Sequence, residues 1–301
     1  MSEASTTIAA EPRDNVLLGS IYVCISATMF AAAGAAVKLA LQDISAIQLV
    51  FWRNLLSMLI FGVYLFAAKP DVFAHWRTDR THLHIIRSFL SLMVLYSYFY
   101  AVSKIHLATA VLLMSTSPIF VPILAYFVLG HRSPITVWLG VLIAFLGVAL
   151  VVDPTLNYSF GLADGPGLAS GLLAGFLGGA ATIAIWKMSS TETPDRQMIY
   201  FTVVSFILSI PLGIYSWKTP KIETFGPIIC LGIATTLAQY YLSKGCQVAP
   251  VDKINTWNYL SIVVASFAAY LGWNESLSLS TVGGMLLVVA GAQIASRTFK
   301  R

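Results

Sequence analysis

The sequence predicts an all-α integral membrane protein with ten transmembrane helices, arranged as two inverted five-helix repeats. Three observations lead to this prediction. The 301 residues are 57% apolar and only 10% charged, with a mean hydropathy of +0.79, whereas soluble domains carry about 25% charged residues. The apolar residues form runs of roughly 20, the length that crosses a ~30 Å hydrocarbon core. Finally, segments of the second half repeat segments of the first.

The apolar runs are continuous and do not alternate with polar residues, which favours helices over a transmembrane barrel. They lie at about 17–41, 46–67, 83–103, 107–129, 135–153, 166–188, 197–217, 226–248, 254–272 and 278–296. Lipid offers no partners for backbone N–H and C=O groups, and a helix satisfies these groups within one segment. We therefore expect each run to form one helix.

The loops predict a multi-pass protein of the cytoplasmic (inner) membrane with both termini in the cytoplasm, because Lys and Arg concentrate on the cytoplasmic side. In this orientation that side holds Arg13, Lys69, Arg77, Arg80, Arg87, Arg132, Lys187, Arg196, Lys244, Lys253, Arg297, Lys300 and Arg301. The opposite side holds Lys38, Arg53, Lys104, Lys218 and Lys221, of which the last two argue mildly for the reverse. The charges form no single basic face, so no nucleic-acid partner is expected.

The repeat is clearest between residues 110–149 and 254–293, which match at a constant offset of 144. Ser117 falls on Ser261, Gly140 on Gly284 and Gly147 on Gly291 in this register. Residues 16–40 match 165–189 at an offset of 149, and residues 99–108 match 240–249 at an offset of 141. Because five is an odd number of helices, the second repeat must enter the membrane from the opposite side, as in many secondary transporters.

These matches predict the domain organisation. A cytoplasmic N-terminal tail covers 1–16, the first repeat 17–153, an inter-repeat loop 154–165, the second repeat 166–296 and a cytoplasmic C-terminal tail 297–301.

The chain resembles the EamA-type ten-helix members of the drug/metabolite transporter superfamily. The resemblance is carried by Lys38, by "FWRNLL" with Arg53, and by "LATAVLLMSTSPIFVPILAYFVLGHR" with its mid-helix Pro118. The sequence departs from the family pattern by placing His131 where the first repeat usually has Glu, while the second repeat keeps Glu275 but lacks the proline. The resemblance implies a carrier for small organic solutes, with helices one to four and six to nine around a central cavity. Members of the family move amino acids, S-adenosylmethionine, opine-type metallophores and other solutes.

Ionisable residues within or beside the spans are candidates for gating or charge attraction, because charge inside a bilayer is expensive. Lys38 and Lys187 occupy equivalent places in the two repeats and would attract an anionic solute or close the cavity, unless they only snorkel to water. Glu275 would act with Lys38, or cap a helix. Arg53 is interpreted as a structural residue or a substrate contact. His131 could titrate near neutral pH and couple a proton to transport, or be a solvated loop residue.

Polar and aromatic residues within the spans are the candidates for solute binding. They are Tyr96, Tyr100, Ser115, Ser117, Thr235, Gln239, Asn255, Trp257 and Asn258. Together they suit a small polar or zwitterionic solute with an apolar part, whereas singly each is typical of a helix–helix hydrogen bond or an aromatic belt. Pro118 removes a backbone hydrogen bond and is expected to kink its helix next to Ser115 and Ser117. Gly171, Gly175 and Gly179 predict close helix packing.

No sequence motif indicates catalysis, a cofactor or a metal site. The leading hypothesis is therefore a secondary active transporter that works by alternating access, with an amino acid or derivative as solute. A non-transporting membrane sensor or assembly partner is the first alternative, and a membrane-embedded enzyme the second. Coupling to a proton or other gradient, and assembly as a homodimer, are left open.

Overall fold

The computed structural model describes residues 15–68, 78–105, 107–152, 165–273 and 279–297, and its regular structure is helical throughout these ranges. The helices are α1 (Val16–Ala40), α2 (Ala46–Ala68), α3 (Thr81–Lys104), α4 (Leu107–Met114), α5 (Ser117–Leu129), α6 (Ile135–Val152), α7 (Gly165–Met188), α8 (Pro194–Tyr215), α9 (Phe225–Val248), α10 (Val251–Ile254), α11 (Leu260–Trp273) and α12 (Leu279–Ser296). A 3-10 stretch, Asn255–Tyr259, links α10 to α11.

Within the described ranges the helices are arranged as ten spans, which confirms the predicted fold class. The pair α4 and α5 makes one span, α10 and α11 with their 3-10 link make another, and every other long helix is a span of its own. Within the described ranges, eight segments are long and apolar enough to cross a membrane, and Ile135–Val151 is a shorter apolar helix.

Successive spans run in opposite directions, so the bundle has two distinct ends. We call the end where α1 begins and α12 ends the near end, and the other the far end. The loop between α7 and α8 lies at the near end, and the loop between α1 and α2 lies at the far end.

Helix packing follows the repeat. The four most extensive helix contacts are α6 with α12, α1 with α9, α3 with α7, and α2 with α8, and each joins the first repeat to the second. The repeat offsets pair α1 with α7 and α3 with α9, so a pseudo-twofold axis exchanges the α1–α9 and α3–α7 contacts. The same axis maps the α6–α12 and α2–α8 contacts onto themselves. This is the inverted-repeat arrangement that the sequence predicts.

The glycines that match at offset 144 meet one another where α6 crosses α12. A Cβ placed on Gly291 would lie 2.5 Å from the carbonyl oxygen of Gly140, and one placed on Gly284 would lie 2.6 Å from that of Gly147. The pseudo-twofold axis maps one contact onto the other, because Gly140 corresponds to Gly284 and Gly147 to Gly291. Small residues allow backbones in lipid to approach this closely.

The fourth span is interrupted where Pro118 predicts a kink. Helix α4 ends at Met114 and α5 begins at Ser117, and the backbone N–H of Thr116 donates to the carbonyl of Leu113 at 3.1 Å. Pro118 has no N–H to donate to the carbonyl of Met114, so the α-helical hydrogen bonding cannot continue through it.

The ninth span is interrupted at the equivalent place although it has no proline there. Residues 255–259 correspond to 111–115 at offset 144, and they form the 3-10 stretch. Within that stretch the side-chain amide of Asn258 donates to Oδ1 of Asn255 at 2.7 Å. Residues three apart eclipse in a 3-10 helix, which brings these two amides together. Both repeats therefore break the same span by different means.

The α6–α12 crossing yields a prediction with an adjacent control. We expect Gly284→Ala to lower the stability of the protein in detergent by about 1–3 kcal/mol, because its Cβ would overpack against the α6 backbone. Gly283→Ala is the control, since nothing lies within 4 Å of a Cβ there, and alanine favours the helix. Thermal unfolding of the purified variants measures the difference. Equal melting temperatures for the two variants would show that the crossing is not tightly packed.

Candidate functional site

A cleft of about 630 Å³ opens at the far end between α2, α3, α7 and α8, within the size range of small-molecule sites. Tyr96 and Tyr100 of α3 both line it, as expected for residues four apart on one helix face. Ser170 of α7 also lines it and donates a hydrogen bond to the carbonyl of Ser97 at 2.9 Å. The structure thus brings two of the predicted solute-binding residues into one concave surface.

The residues at the Pro118 kink pack against α7. Ser115 donates from Oγ to the carbonyl of Val111 at 2.7 Å. A Cβ on Gly175 would lie 2.7 Å from the carbonyl oxygen of Leu113, and one on Gly178 would lie 3.0 Å from Oγ of Ser117. The glycines of α7 therefore allow the interrupted fourth span to pack closely against α7, as the sequence predicts. Binding of a solute by Ser115 or Ser117 stays a prediction.

Thr235 and Gln239 lie on α9 near the middle of the bundle. Thr235 is 4% exposed, and its hydroxyl donates to the carbonyl of Leu231 at 2.7 Å. Gln239 Oε1 is buried without a hydrogen-bond partner in the part of the chain that the structure describes. Between them, Thr236 donates to Oγ of Ser57 on α2 at 2.9 Å. Gln239 therefore keeps an acceptor that a solute donor could use.

Asn255, Trp257 and Asn258 lie in the 3-10 stretch of the ninth span, closer to the near end. The two asparagines bond to each other, and the indole N–H of Trp257 donates to Oγ of Ser296 on α12 at 2.8 Å. These contacts stabilise the interruption and join it to α12. These contacts place the three residues apart from the far-end cleft, so the predicted residues do not form one cluster in this conformation.

The predicted charged residues also lie in different places. Lys187 is exposed in the last turn of α7 at the near end, and Lys38 lies in the last turns of α1 at the far end. Glu275 lies outside the described residues. Arg53 is buried, with 6% of its surface exposed. Gating by these residues stays a prediction.

His131 forms an ion pair that its place in the sequence did not predict. Its Nε2 lies 3.2 Å from Oδ2 of Asp252 at the near end, joining the α5–α6 loop to α10. The hydrogen bond with Asp252 raises the pKa of His131 above 6.5, against an opposing effect of burial. The histidine is thus held in its protonated form over a wider pH range.

Arg87 has a role that its position in the sequence does not predict. It lies within the run 83–103 and is counted among the basic residues of the cytoplasmic side, and the structure places it 0% exposed inside the bundle. Its guanidinium Nη1 donates to the carbonyl of Gln197 on α8 at 2.9 Å, and Nη2 donates to Oγ of Ser243 on α9 at 3.4 Å. Arg87 therefore joins the first repeat to the second and is not a solvated topology signal.

Two repeat-equivalent carboxylates, Asp43 and Glu192, were missed in the sequence. Asp43 follows α1 and Glu192 follows α7, and their numbers differ by 149, the offset of those two helices. Each accepts hydrogen bonds from a loop of the other repeat. We call the contacts of Asp43 with Lys218, Lys221 and Thr224 the far-end tie. We call the contacts of Glu192 with Thr78, His84 and Arg196 the near-end tie.

Both ties place a threonine hydroxyl of the other repeat on the carboxylate, but only the far-end tie also takes a lysine from the other repeat. In the far-end tie, Lys218 Nζ lies 3.0 Å from Asp43 Oδ1 and Thr224 donates to Oδ2 at 2.8 Å. The backbone N–H of Lys221, followed by Lys218 and Thr224, holds the pKa of Asp43 at about 2.

In the near-end tie, Thr78 donates to Glu192 Oε1 at 2.5 Å and Arg196 Nη1 donates to Oε2 at 3.0 Å. Burial would raise the pKa of Glu192, but the neighbouring His84, Thr78 and Arg196 outweigh it and hold it at about 2. Both carboxylates are therefore charged at neutral pH.

A cluster of tyrosines at the near end is the counterpart of the far-end cleft. Phe99 and Tyr100 of the cleft correspond to Tyr240 and Tyr241 at offset 141. The ammonium of Lys244 lies 4.7 Å from the ring centre of Tyr240 and 5.8 Å from that of Tyr241. Equivalent aromatic positions therefore lie near a lysine at both ends, since the ammonium of Lys104 is 5.8 Å from the ring centre of Tyr100.

This geometry defines a ten-helix, two-repeat membrane protein of the kind that moves solutes between its repeats. The EamA-like transporter family matches residues 17–153 and 165–297, and the chain belongs to this family. It is a multi-pass membrane protein and a small-molecule transporter, and it is not an enzyme.

Curated relatives agree with this assignment. The chain is 26% identical over 283 residues to the pseudopaline exporter of Pseudomonas aeruginosa, covering 94% of this chain and 97% of that protein. It is 23% identical over 214 residues to the S-adenosylmethionine uptake transporter of Rickettsia prowazekii, covering 71% of each. A solved crystal structure matches with a TM-score of 0.81 at 15% identity, over 92% of this chain and 96% of that one, which shows a shared fold.

The His131–Asp252 pair predicts a pH-dependent stability. Because the pKa of His131 is raised, its ion pair stabilises the folded protein fully below about pH 6.5. This stabilisation is lost as the pH rises through the raised pKa. His131→Asn should therefore lower the melting temperature most near pH 5–6 and least near pH 9.

The effect should correspond to less than about 1 kcal/mol, because His131 is partly exposed. His82→Asn, which changes an exposed histidine at the same end, is the matched control and should show no such pH dependence. A difference between wild type and His131→Asn that is constant from pH 5 to 9 would contradict the assignment.

Proposed function

We propose that the protein is a secondary active transporter of the cytoplasmic membrane that works by alternating access, with both termini in the cytoplasm. The observation that carries this proposal is the pair of ties, in which repeat-equivalent carboxylates hold the two repeats together at opposite ends. Opening a path at either end has to separate the repeats there, and the tie at that end resists the separation. A solute site between inverted repeats needs such a device at both ends.

The conformation described here has both ties formed, so the repeats are held together at both ends. Buried apolar residues of α1, α5, α7, α9 and α10 pack together in the near half, including Val23, Val121, Ile185 and Ile254. Another buried apolar cluster joins α1, α2 and α9 in the far half, and the cleft beside Tyr96 and Tyr100 lies at the far end. In the proposed cycle one tie is released at a time, and the pseudo-twofold axis relates the two open states.

The solute we propose is an amino acid or a derivative of one, such as S-adenosylmethionine or a metallophore. Support comes from the relatives, of which one is named an exporter of pseudopaline and another an uptake transporter of S-adenosylmethionine. Tyr96, Tyr100, Ser117 and Gln239 supply the hydroxyl, amide and aromatic groups for such a solute. Because the two relatives work in opposite directions, the direction of transport has to be measured.

Transport should be tested in liposomes that contain the purified protein, with radiolabelled amino acids and S-adenosylmethionine as the solutes. We expect uptake above that of protein-free liposomes, and accelerated exchange when unlabelled solute is placed on the far side of the membrane. A proton gradient is the first driving force to impose, with His131→Asn compared with wild type. Absence of flux and of exchange for every solute, with protein that stays folded, would favour a non-transporting sensor.

The ties predict opposite effects on access to the far-end cleft. Asp43→Asn should loosen the far end and raise the labelling of Tyr100→Cys by an impermeant maleimide, in a background without the native cysteines. Glu192→Gln should loosen the near end and lower that labelling. Changes of about two- to fivefold are expected, as for other partly exposed ion pairs.

Glu223→Gln is the matched control for this experiment, since Glu223 is an exposed carboxylate beside Thr224 of the far-end tie. It should leave the labelling rate unchanged. If Asp43→Asn and Glu192→Gln shifted the labelling in the same direction, the ties would not govern the two ends separately.

A further inference from the structure

Two buried guanidinium groups of the first repeat reach the same aromatic ring of the second. Arg53 of α2 is 6% exposed, Arg87 of α3 is 0% exposed and Phe201 of α8 is 3% exposed. The guanidinium carbon lies 5.9 Å from the ring centre in Arg53 and 4.8 Å in Arg87. The two positive charges therefore lie against the same ring, between the repeats.

The ring lies inside the bundle, toward the near end. Phe201 is seven residues from the near-end start of α8, and Arg87 is six residues from the near-end start of α3. At 1.5 Å per residue, both backbone positions are about 10 Å from that end, while Arg53 is seven residues from the far-end start of α2. Both guanidinium groups therefore reach a ring in the interior between the repeats, where inverted-repeat transporters hold their solutes.

The chain supplies no counter-charge for the two arginines. In the described part of the chain neither guanidinium has a carboxylate within ion-pair distance. The four helices around them, α2, α3, α8 and α9, contain a single acidic residue, Asp195. That carboxylate lies at the start of α8, beside Tyr240.

The hydrogen bonds of the two guanidinium groups are also incomplete. Arg87 donates to the carbonyl of Gln197 and to Ser243, and Arg53 Nη1 donates to Oδ1 of Asn54 at 3.1 Å. Each guanidinium has five N–H donors, and Nε of both arginines is buried without a partner among the residues described. The hydroxyl of Ser205, also buried nearby on α8, has none either. Several donors thus remain for a ligand.

Buried, unpaired cations are strongly unfavourable in a bilayer. An anionic oxygen group between them would relieve this, because guanidinium forks bind carboxylate and phosphate through charge-assisted, often bidentate hydrogen bonds. The polar side chains of Asn54, Ser57 and Ser205 extend the same surface along α2 and α8, where the amide of Asn54 donates to the carbonyl of Ser205 at 3.2 Å.

We propose that Arg53 and Arg87 form the subsite that binds the anionic group, a carboxylate or a phosphate, of the transported solute. The proposal rests on the transport function above, and it names the chemical class of the solute. In the conformation described the subsite is closed to water. Separation of the repeats at one end would open it, and a bound anion would neutralise both cations while the protein changes conformation.

The test is the melting temperature of the purified protein in detergent at constant ionic strength, with anions and their uncharged counterparts. The pairs are propionate with propionamide, acetate with acetamide, and glycerol 3-phosphate with glycerol. We expect the temperature to rise with the concentration of a carboxylate or the phosphate and not with its neutral partner. A rise with the carboxylates alone would indicate a carboxylate site, and a rise with the phosphate alone would indicate a phosphate site.

The variants locate the effect. Arg53→Gln and Arg87→Gln should each weaken the apparent affinity for the active anion by at least about tenfold, which is ~1.4 kcal/mol. Arg132→Gln removes an exposed guanidinium at the near end and should leave the affinity unchanged. If a glutamine variant fails to fold, Arg53→Lys and Arg87→Lys keep the charge but lose the planar fork, and they should still weaken binding severalfold.

Three results would overturn the proposal: no rise with any of the anions in the wild type, equal rises with charged and neutral partners, or unchanged affinity in the arginine variants. The liposome assay separates this failure from failure of the proposed function. Flux of a neutral or cationic solute that is unaffected by Arg53→Gln and Arg87→Gln would remove the anion subsite and leave transport intact. Anion binding that depends on both arginines, without any flux, would support the anion subsite and contradict the proposed transport function.

Discussion

Packing between the two repeats is the constraint on which the structure depends. The helices of each repeat make their most extensive contacts with helices of the other, and contacts between neighbours in the chain are slight by comparison. A bilayer gives apolar side chains little reason to associate, so close backbone approach and interhelical hydrogen bonds must hold the helices together. The glycines of α6 and α12 provide the first, and pairs such as Ser57 with Thr236 provide the second.

This constraint explains where the polar groups are. Arg87, Asn54 and His131 each bind a partner more than a hundred residues away, in the other repeat. The ties formed by Asp43 and Glu192 do the same at the two ends. The interface that gives the protein its stability therefore also contains its charges. A movement of one repeat against the other has to break or exchange these contacts, which connects stability directly to conformational change.

Much of this architecture could be predicted from the sequence, because span length, charge-poor runs and the repeat offsets are local or periodic properties. The kink at Pro118 follows from the chemistry of a single residue. The matching interruption at Asn255–Tyr259 does not, because it depends on an amide pair within a 3-10 stretch, and no residue there forbids an α-helix. Its position could have been inferred only by assuming that the repeat preserves interruptions as well as helices.

The charged groups show the limit of sequence interpretation. Arg87 stands close to a loop in the chain, and only the contact with Gln197 and Ser243 reveals that it is buried. Lys218 was read as evidence about topology, whereas it binds Asp43. The offset of 149 that pairs Lys38 with Lys187 also pairs Asp43 with Glu192 five residues later. The signal was present, but its meaning depends on the loops that contact these carboxylates, and those lie in the other repeat.

The crossing of α6 and α12 bears on how such a protein could be assembled from separate parts. Gly140 and Gly147 meet Gly291 and Gly284, which are their own counterparts in reverse order. A single five-helix unit with these two glycines could make both contacts with a second copy of itself, provided that the copy was inserted upside down. The interface is therefore isologous in form, and the fused chain has the geometry of an antiparallel homodimer whose two subunits share one polypeptide.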